Sequence, residues 1–373
     1  MRIEEFIELL DVDFWTGVPD SQLKVLCDYL VEKYDTNSQR HIIAANEGNA
    51  VALATGFHLA TGKMPAVYMQ NSGEGNVVNP LASLMNEKVY GIPCILVIGW
   101  RGEPGVHDEP QHIFQGEITL QLLEMMQIKY MIVDKETSSD DIAKQNEEFK
   151  QYLSQGKQVA YVVRKGAFCS DHKMNYRNEN TICRETILEH VVKHSGECPI
   201  ISTTGKASRE LFEIRERDKQ SHKYDFLTVG SMGHSSSIAL GVALNKKSTK
   251  VICIDGDGAL LMHMGAMAVI GANAPENLIH IVINNGAHET VGGMPTVADK
   301  INIVNIAKAC GYPNAVCVDN LQDLDRELEE AMQREEMSLI EIKTALGARD
   351  NLGRPTTSAM DNKKNFMDYL KRI

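Results

Sequence analysis

The sequence has no CxxC pair. Its eight cysteines, at positions 27, 94, 169, 183, 198, 253, 310 and 317, are scattered, and several lie in apolar runs such as VICID. A paired-cysteine motif is therefore excluded, and the thiols read as buried and reduced. No apolar stretch approaches the ~20 residues a membrane span needs. The opening MRIEEFIELLDVD is acidic and amphipathic and has no apolar core of a secretory signal. These two absences give the expectation of a soluble, cytoplasmic protein with no membrane partner. Basic residues are also in deficit, 38 Lys and Arg against 50 Asp and Glu, for a formal charge of −12. A nucleic-acid partner, which selects for a basic face, is not expected. No GxGxxG follows the first strand candidate, which excludes a nicotinamide-dependent dehydrogenase of the usual kind.

What is present is an ordinary globular composition, 43% hydrophobic, over 373 residues. That length suits two domains better than one. In the first half HIIAA, AVYMQ, CILVIG, MIVD and VAYVVR read as buried strands, with helix-like stretches at Glu47–Thr61 and 76–88 between them. In the second half PIIST, FLTV, KVICID, LIHIVIN, AVCVD and SLIEIKT alternate with helices predicted at 205–216, 235–246, 259–273, 321–334 and 361–371. Near-continuous apolar strands separated by helices predict an α/β fold with mainly parallel sheets covered on both faces. SDHKMNYRNEN (170–180) is polar and without periodicity, as a linker would be. The expected organisation is two doubly wound domains, 1–169 and 184–373, joined by 170–183. There is no sequence repeat between them, only a repeated architecture.

The most informative segment is KVICIDGDGALLMHMGAMAVIGANAPENLIHIVINNGAHETVGG. A strand is expected to end at Asp255, Gly256-Asp257-Gly258 to turn, and a helix to start near Ala259. Glycines let the backbone approach a ligand, and free amides at a helix start favour a phosphate. Asp257 offers a hard oxygen ligand for magnesium, and Asn285, closing the next strand, offers a second. Both groups fall at the carboxyl ends of neighbouring strands, where open α/β sheets bind ligands. A lone GDG is weak, but GDG, 25 residues and then NN in this context is specific.

This arrangement resembles the thiamine-diphosphate enzyme superfamily, whose diphosphate motif it matches. The resemblance implies that Asp257 and Asn285 bind Mg2+ through side chains and Ala287 through its carbonyl, with Gly256, Gly258 and Ala259 cradling the diphosphate. TVGSMGHSSSIALGVAL (228–244) resembles the segment that supports the bent cofactor, with Met232 as the apolar wedge and the Gly230 carbonyl as an acceptor; Met232 as ordinary core is the alternative. ISTTGKASREL (201–211) resembles a segment that touches the diphosphate and implicates Thr204 and Lys206. AANEGNAVALATGFHLATGK (44–63) resembles the pyrimidine-domain motif and makes Glu47 the carboxyl that activates the aminopyrimidine. Without that motif, Glu47 would read as a helix-start charge.

The resemblance implies a pyrimidine domain and a diphosphate domain with no middle domain. It also implies a homodimer or homotetramer with the cofactor at a subunit interface. FWTGVPDSQLK (14–24), NSGEGNVVNPLASL (71–84) and GWRGEPGVHDEPQH (99–112) place the resemblance among decarboxylases of small anionic 2-oxo acids. The implied reaction converts 3-phosphonopyruvate to phosphonoacetaldehyde and carbon dioxide; sulfopyruvate decarboxylation, or carboligation, is the alternative. A phosphonate needs cationic donors, and Arg101, His107, His112 and Lys206 sit in motif segments, where each could equally be a solvated charge. Asp20, His107 and His112 are the candidate proton donors, with an N-cap role the alternative for Asp20. One departure stands out. Pyruvate decarboxylases place a catalytic Glu six residues after the second Asn, where this chain has Val291; Glu289 and His288 lie near but are not equivalents.

Overall fold

The computed structural model describes all residues from Met1 to Ile373. They form two compact units, Met1–Tyr176 and Arg177–Ile373. The first holds six strands: β1 (Phe14–Gly17), β2 (His41–Ile43), β3 (Pro65–Gln70), β4 (Cys94–Gly99), β5 (Lys129–Val133) and β6 (Gln158–Val163). They make one sheet of order β2-β1-β3-β4-β6-β5, parallel throughout. Every residue of β4 and β6 is buried, as expected of strands covered on both faces.

The second unit contains β7 (Ile200–Ser202), β8 (Asp225–Leu227), β9 (Val251–Gly256) and β10 (Leu278–Asn284). A short antiparallel pair, β11 (Ala287–His288) and β12 (Met294–Pro295), follows, and then β13 (Asn314–Val318) and β14 (Ser338–Lys343). Its parallel sheet has the order β13-β14-β10-β9-β7-β8. Numbered within its own unit and read from the opposite edge, this is the strand order of the first sheet. Two apolar clusters cover the faces: one includes Ile187, Leu211, Ile281 and Leu324, the other Ala239, Val251, Met267 and Phe366. Each buried aliphatic side chain contributes about 1.5–3 kcal/mol relative to exposure.

In each sheet the order reverses beside the first strand of the unit, between β1 and β3 and between β7 and β9. An open α/β sheet leaves a crevice at the carboxyl ends of such a pair. Asp20 and Asn71 follow β1 and β3; Thr204 and Asp257 follow β7 and β9.

Several expected elements differ in detail. The helix after β9 begins at Asp257, not near Ala259: Gly256 is its extended N-cap, and the turn tightens directly into Asp257–Met262. It stops at His263, and a second helix, Gly265–Asn273, completes what the sequence read as one. The expected helix 76–88 runs as Glu74–Pro80 and then widens into a π-turn, Leu81–Met85. Pro80 lacks the amide that would continue the α pattern. Helix Glu47–Thr61 has the predicted bounds, capped by Asn46, whose side chain accepts from the Gly48 amide at 2.8 Å, and closed at Gly62 in the left-handed region.

Candidate active site

In the second unit the residues singled out by the GDG and NN motifs converge. Asp257 is buried, and its carboxylate accepts from the Thr296 hydroxyl at 2.5 Å and from the backbone amide of Asn285. Burial pushes its pKa up to about 6 against those hydrogen bonds. Asn285, also buried, turns Oδ1 to the Ala287 amide at 3.0 Å and donates Nδ2 to Glu289 at 2.8 Å. The loop is held from below by Asn284, which accepts from the Gly286 amide at 2.9 Å and donates to Glu341 at 2.7 Å. Gly286, at φ +68, faces Asp299 so closely that a Cβ would lie 2.5 Å from its carboxylate. The positive φ favours glycine there.

A carboxylate, a carboxamide oxygen and a main-chain carbonyl are the donors a hard divalent cation takes. Asp257 is a buried acid with no basic side chain against it, so the residues fit Mg2+. The adjoining segments also meet. The Gly230 amide, at a glycine with φ +70, donates to Thr204 Oγ1 at 3.0 Å. Met232 is half-buried, and its methyl lies 3.2 Å from where a Cβ on Gly258 would sit. His288 presses on the same glycine, its Nδ1 3.5 Å from that position, and burial lowers the imidazole pKa to about 4.

Lys206 sits differently from a free cation. It opens helix Lys206–Arg217 after Gly205 (φ +95) and pairs with Glu289 at 3.0 Å. Glu289 also receives the Gly347 amide at 3.0 Å and has Arg184 at 3.8 Å, and these partners hold its pKa down despite burial. Glu289 thus links the NN loop to Lys206, a role the sequence did not reveal because its partners lie 83 and 105 positions upstream. Thr296 was missed for the same reason.

In the first unit Glu47 is buried at the first turn of its helix, and Asn76 Nδ2 donates to its Oε2 at 2.7 Å. A Cβ at Gly73 would lie 2.6 Å from Glu47 Oε1, so that glycine makes room for the carboxyl. Burial raises the Glu47 pKa. Gly73 and Asn76 both belong to the NSGEGN motif, where a signal for them existed. Glu74 beside them is 1% exposed, and burial pushes its pKa up to about 8 against the hydroxyl of Thr119, the one polar side chain that lowers it.

Asp20 is buried in the crevice beyond β1, β3 and β4. Its Oδ1 accepts from Gln70 Nε2 at 2.6 Å, its Oδ2 from the amides of Gln22 and Leu23 at 3.0 and 3.3 Å, and burial raises its pKa. The Gln22 and Leu23 bonds close a turn ahead of the helix Lys24–Tyr34, whose N-cap is Leu23 and not Asp20, so the N-cap role the sequence offered for Asp20 does not hold. Arg101 holds Asp108 with two bonds, 2.7 and 2.5 Å, and reaches Ser21 Oγ at 3.0 Å. His112 is buried, with Nδ1 unpartnered and its pKa lowered, mainly by burial. His107 is exposed in the loop between them. The structure therefore brings Asp20, Arg101 and His112 to one end of the sheet and leaves His107 in solvent.

Residues 3–125 match the family described as thiamine pyrophosphate enzyme, N-terminal TPP binding domain, and residues 203–342 match its C-terminal TPP binding domain. A phosphonopyruvate decarboxylase of Streptomyces viridochromogenes is 32% identical over 97% of this chain and 92% of its own. One of Streptomyces hygroscopicus is 31% identical over 96% and 91%. The beta subunit of a sulfopyruvate decarboxylase of Methanocaldococcus jannaschii is 35% identical over 51% of this chain and 97% of its own.

Proposed function

The chain belongs to the thiamine pyrophosphate enzyme family, and we propose that it is a magnesium-requiring decarboxylase of 3-phosphonopyruvate, yielding phosphonoacetaldehyde and carbon dioxide without oxidation. One observation carries the substrate: the similarity to a phosphonopyruvate decarboxylase spans 97% of this chain. Such a reaction would draw forward a phosphonate-forming step in phosphonate biosynthesis. We assign pyrimidine binding to the first unit and diphosphate binding to the second.

When bound, thiamine diphosphate supplies the electron sink that lets carbon dioxide leave a 2-oxo acid. The chain's residues bind, orient and move protons around it. Asp257, Asn285 and the Ala287 carbonyl hold the magnesium, and Gly256, Gly258, Ala259 and Thr204 line the diphosphate. Met232 and the Gly230 carbonyl support the cofactor's shape. Glu47, whose burial favours the protonated carboxyl, holds a proton at Oε1 while Asn76 fixes Oε2. Asp20 retains a proton more readily than a surface aspartate and serves as the donor to the carbon that has lost carbon dioxide, with His112 as the alternative. Arg101, oriented by Asp108 and Ser21, receives the phosphonate. Lys206 contributes through its pair with Glu289.

No helix is long and apolar enough to cross a membrane. Eight unpaired cysteines support a cytoplasmic setting. We assign a homodimer or homotetramer with the cofactor at the subunit interface, which sedimentation with and without cofactor checks.

The test is carbon dioxide release from phosphonopyruvate, sulfopyruvate and pyruvate, with and without thiamine diphosphate and magnesium. Cofactor-dependent release fastest from phosphonopyruvate is expected. Preference for sulfopyruvate would move the substrate, and acetoin-like products would reassign the chain to carboligation.

A further inference from the structure

The face of the second sheet carries a polar cluster that the cofactor loop does not use. Cys253 and Asp255 are two apart on β9 and so point to the same side, and His280 on β10 is the register partner of Cys253. All three are buried, at 0, 1 and 0% exposure, and one donor atom from each lies within 4.8 Å of the others. Two of those atoms have no partner. Asp255 Oδ2 and His280 Nε2 face each other at 3.6 Å and neither makes a hydrogen bond. Unsatisfied polar atoms this deep are rare and each calls for an explanation.

The other atom of each group is already engaged. His280 Nδ1 lies 3.3 Å from the Tyr312 hydroxyl, and Asp255 Oδ1 accepts from Ser235 Oγ at 3.1 Å and from the Gly256 amide at 3.2 Å. Metal ligands are commonly braced in this way: an outer partner fixes one atom of the imidazole or carboxylate and leaves the second aimed at the ion.

From this geometry we infer that Cys253, Asp255 and His280 form a buried site for one transition-metal ion of the zinc class, separate from the magnesium loop. Tetrahedral zinc with bonds of about 2.1 Å sets nitrogen and oxygen donors about 3.4 Å apart, close to the separation observed. Charge favours the assignment as well. A thiolate and a carboxylate cancel the two charges of the ion, and a neutral imidazole adds none, so the filled site carries no net charge into the core. The sulfur selects a softer ion than magnesium. Binding forms three bonds to the protein, takes one water as the fourth tetrahedral ligand, and releases the Cys253 thiol proton to solvent. The ion would tie β9 to β10 just before both strands hand over to Asp257 and Asn285.

Because the site is enclosed, the ion enters during folding and resists chelators. Wild-type protein is expressed with its ordinary metals, dialysed against EDTA and then magnesium, and analysed by elemental mass spectrometry. About one zinc-class ion per chain should remain, Cys253→Ser should lose it, and Asp257→Ala should keep it. Expression in cobalt-supplemented medium should give wild-type protein a thiolate-to-cobalt charge-transfer band. That spectrum decides the matter even if Cys253→Ser fails to fold. Wild-type protein free of transition metal in both preparations, as a bridging water would leave it, overturns the inference. So does metal that stays bound in folded Cys253→Ser.

Discussion

The two units share a strand order and place their polar residues at the same reversal of that order, yet their acids are tuned for different work. In the first unit Glu47 and Asp20 take hydrogen bonds from carboxamides, Asn76 and Gln70. Burial then dominates and moves both toward the protonated form. In the second, Glu289 lies between Lys206 and Arg184 and is held ionised, while Asp257, which burial also moves toward the protonated form, takes its hydrogen bonds from a hydroxyl and a backbone amide and has no carboxamide partner. On the roles proposed above, one topology supports a proton-holding unit and a cation-holding unit. The backbone fixes where a ligand goes, and the partner of each carboxyl fixes the chemistry.

Removing the cation-holding acid should have the largest effect. Asp257→Ala is expected to abolish magnesium-dependent binding of thiamine diphosphate, read by calorimetry; wild-type affinity would remove Asp257 from the metal shell. The same group gives a pH dependence. Below about 6 the buried carboxyl takes up a proton, so magnesium affinity should fall roughly tenfold per pH unit there and stay level above it. Glu47→Gln, in the proton-holding unit, should behave otherwise. Cofactor binding should persist while exchange of the cofactor's C2 proton and turnover fall about 10²–10⁴-fold. An unchanged exchange rate would place activation elsewhere.

This division was partly legible in the sequence. GDG and NN lie in local strand–loop contexts, so their meeting follows from the alternation of strands and helices, and Glu47 sits in an equally local pattern. Strand β1 was not predicted: FWTG is four residues with no aliphatic run, and it is buried because neighbours flank it on both sides. Ion-pair partners were hidden for a related reason. Lys206 read as a ligand contact or a solvated charge and Glu289 was given no partner, and only the fold shows that the two pair. Arg101 read the same way as Lys206, and Asp108 lay within its own motif segment.

Arg101→Ala tests whether that bound arginine still serves the substrate. The Michaelis constant for phosphonopyruvate should rise about tenfold, the loss of one charged hydrogen-bonding partner, while that for pyruvate changes little. A parallel rise for both acids would mean that Arg101 acts only by holding the loop through Asp108 and Ser21.

The last effect is one on stability and belongs to Glu74, and it shows most directly what burial does in the first unit. With burial outweighing the Thr119 hydroxyl and the pKa pushed up to about 8, its carboxyl is protonated in the folded chain at neutral pH but ionised in the unfolded chain above about 4.3. Folding therefore takes up a proton between these values, and stability contributed by this group falls as pH rises from about 4.3 to 8, then levels off. Glu74→Gln replaces the neutral acid with a neutral group of the same shape. It should raise the melting temperature by a few degrees at pH 5 and by roughly ten degrees at pH 8. Melting curves of both proteins across that range read the difference directly. A gain of equal size at both ends would show that Glu74 is ionised throughout, and would break the contrast between the two units.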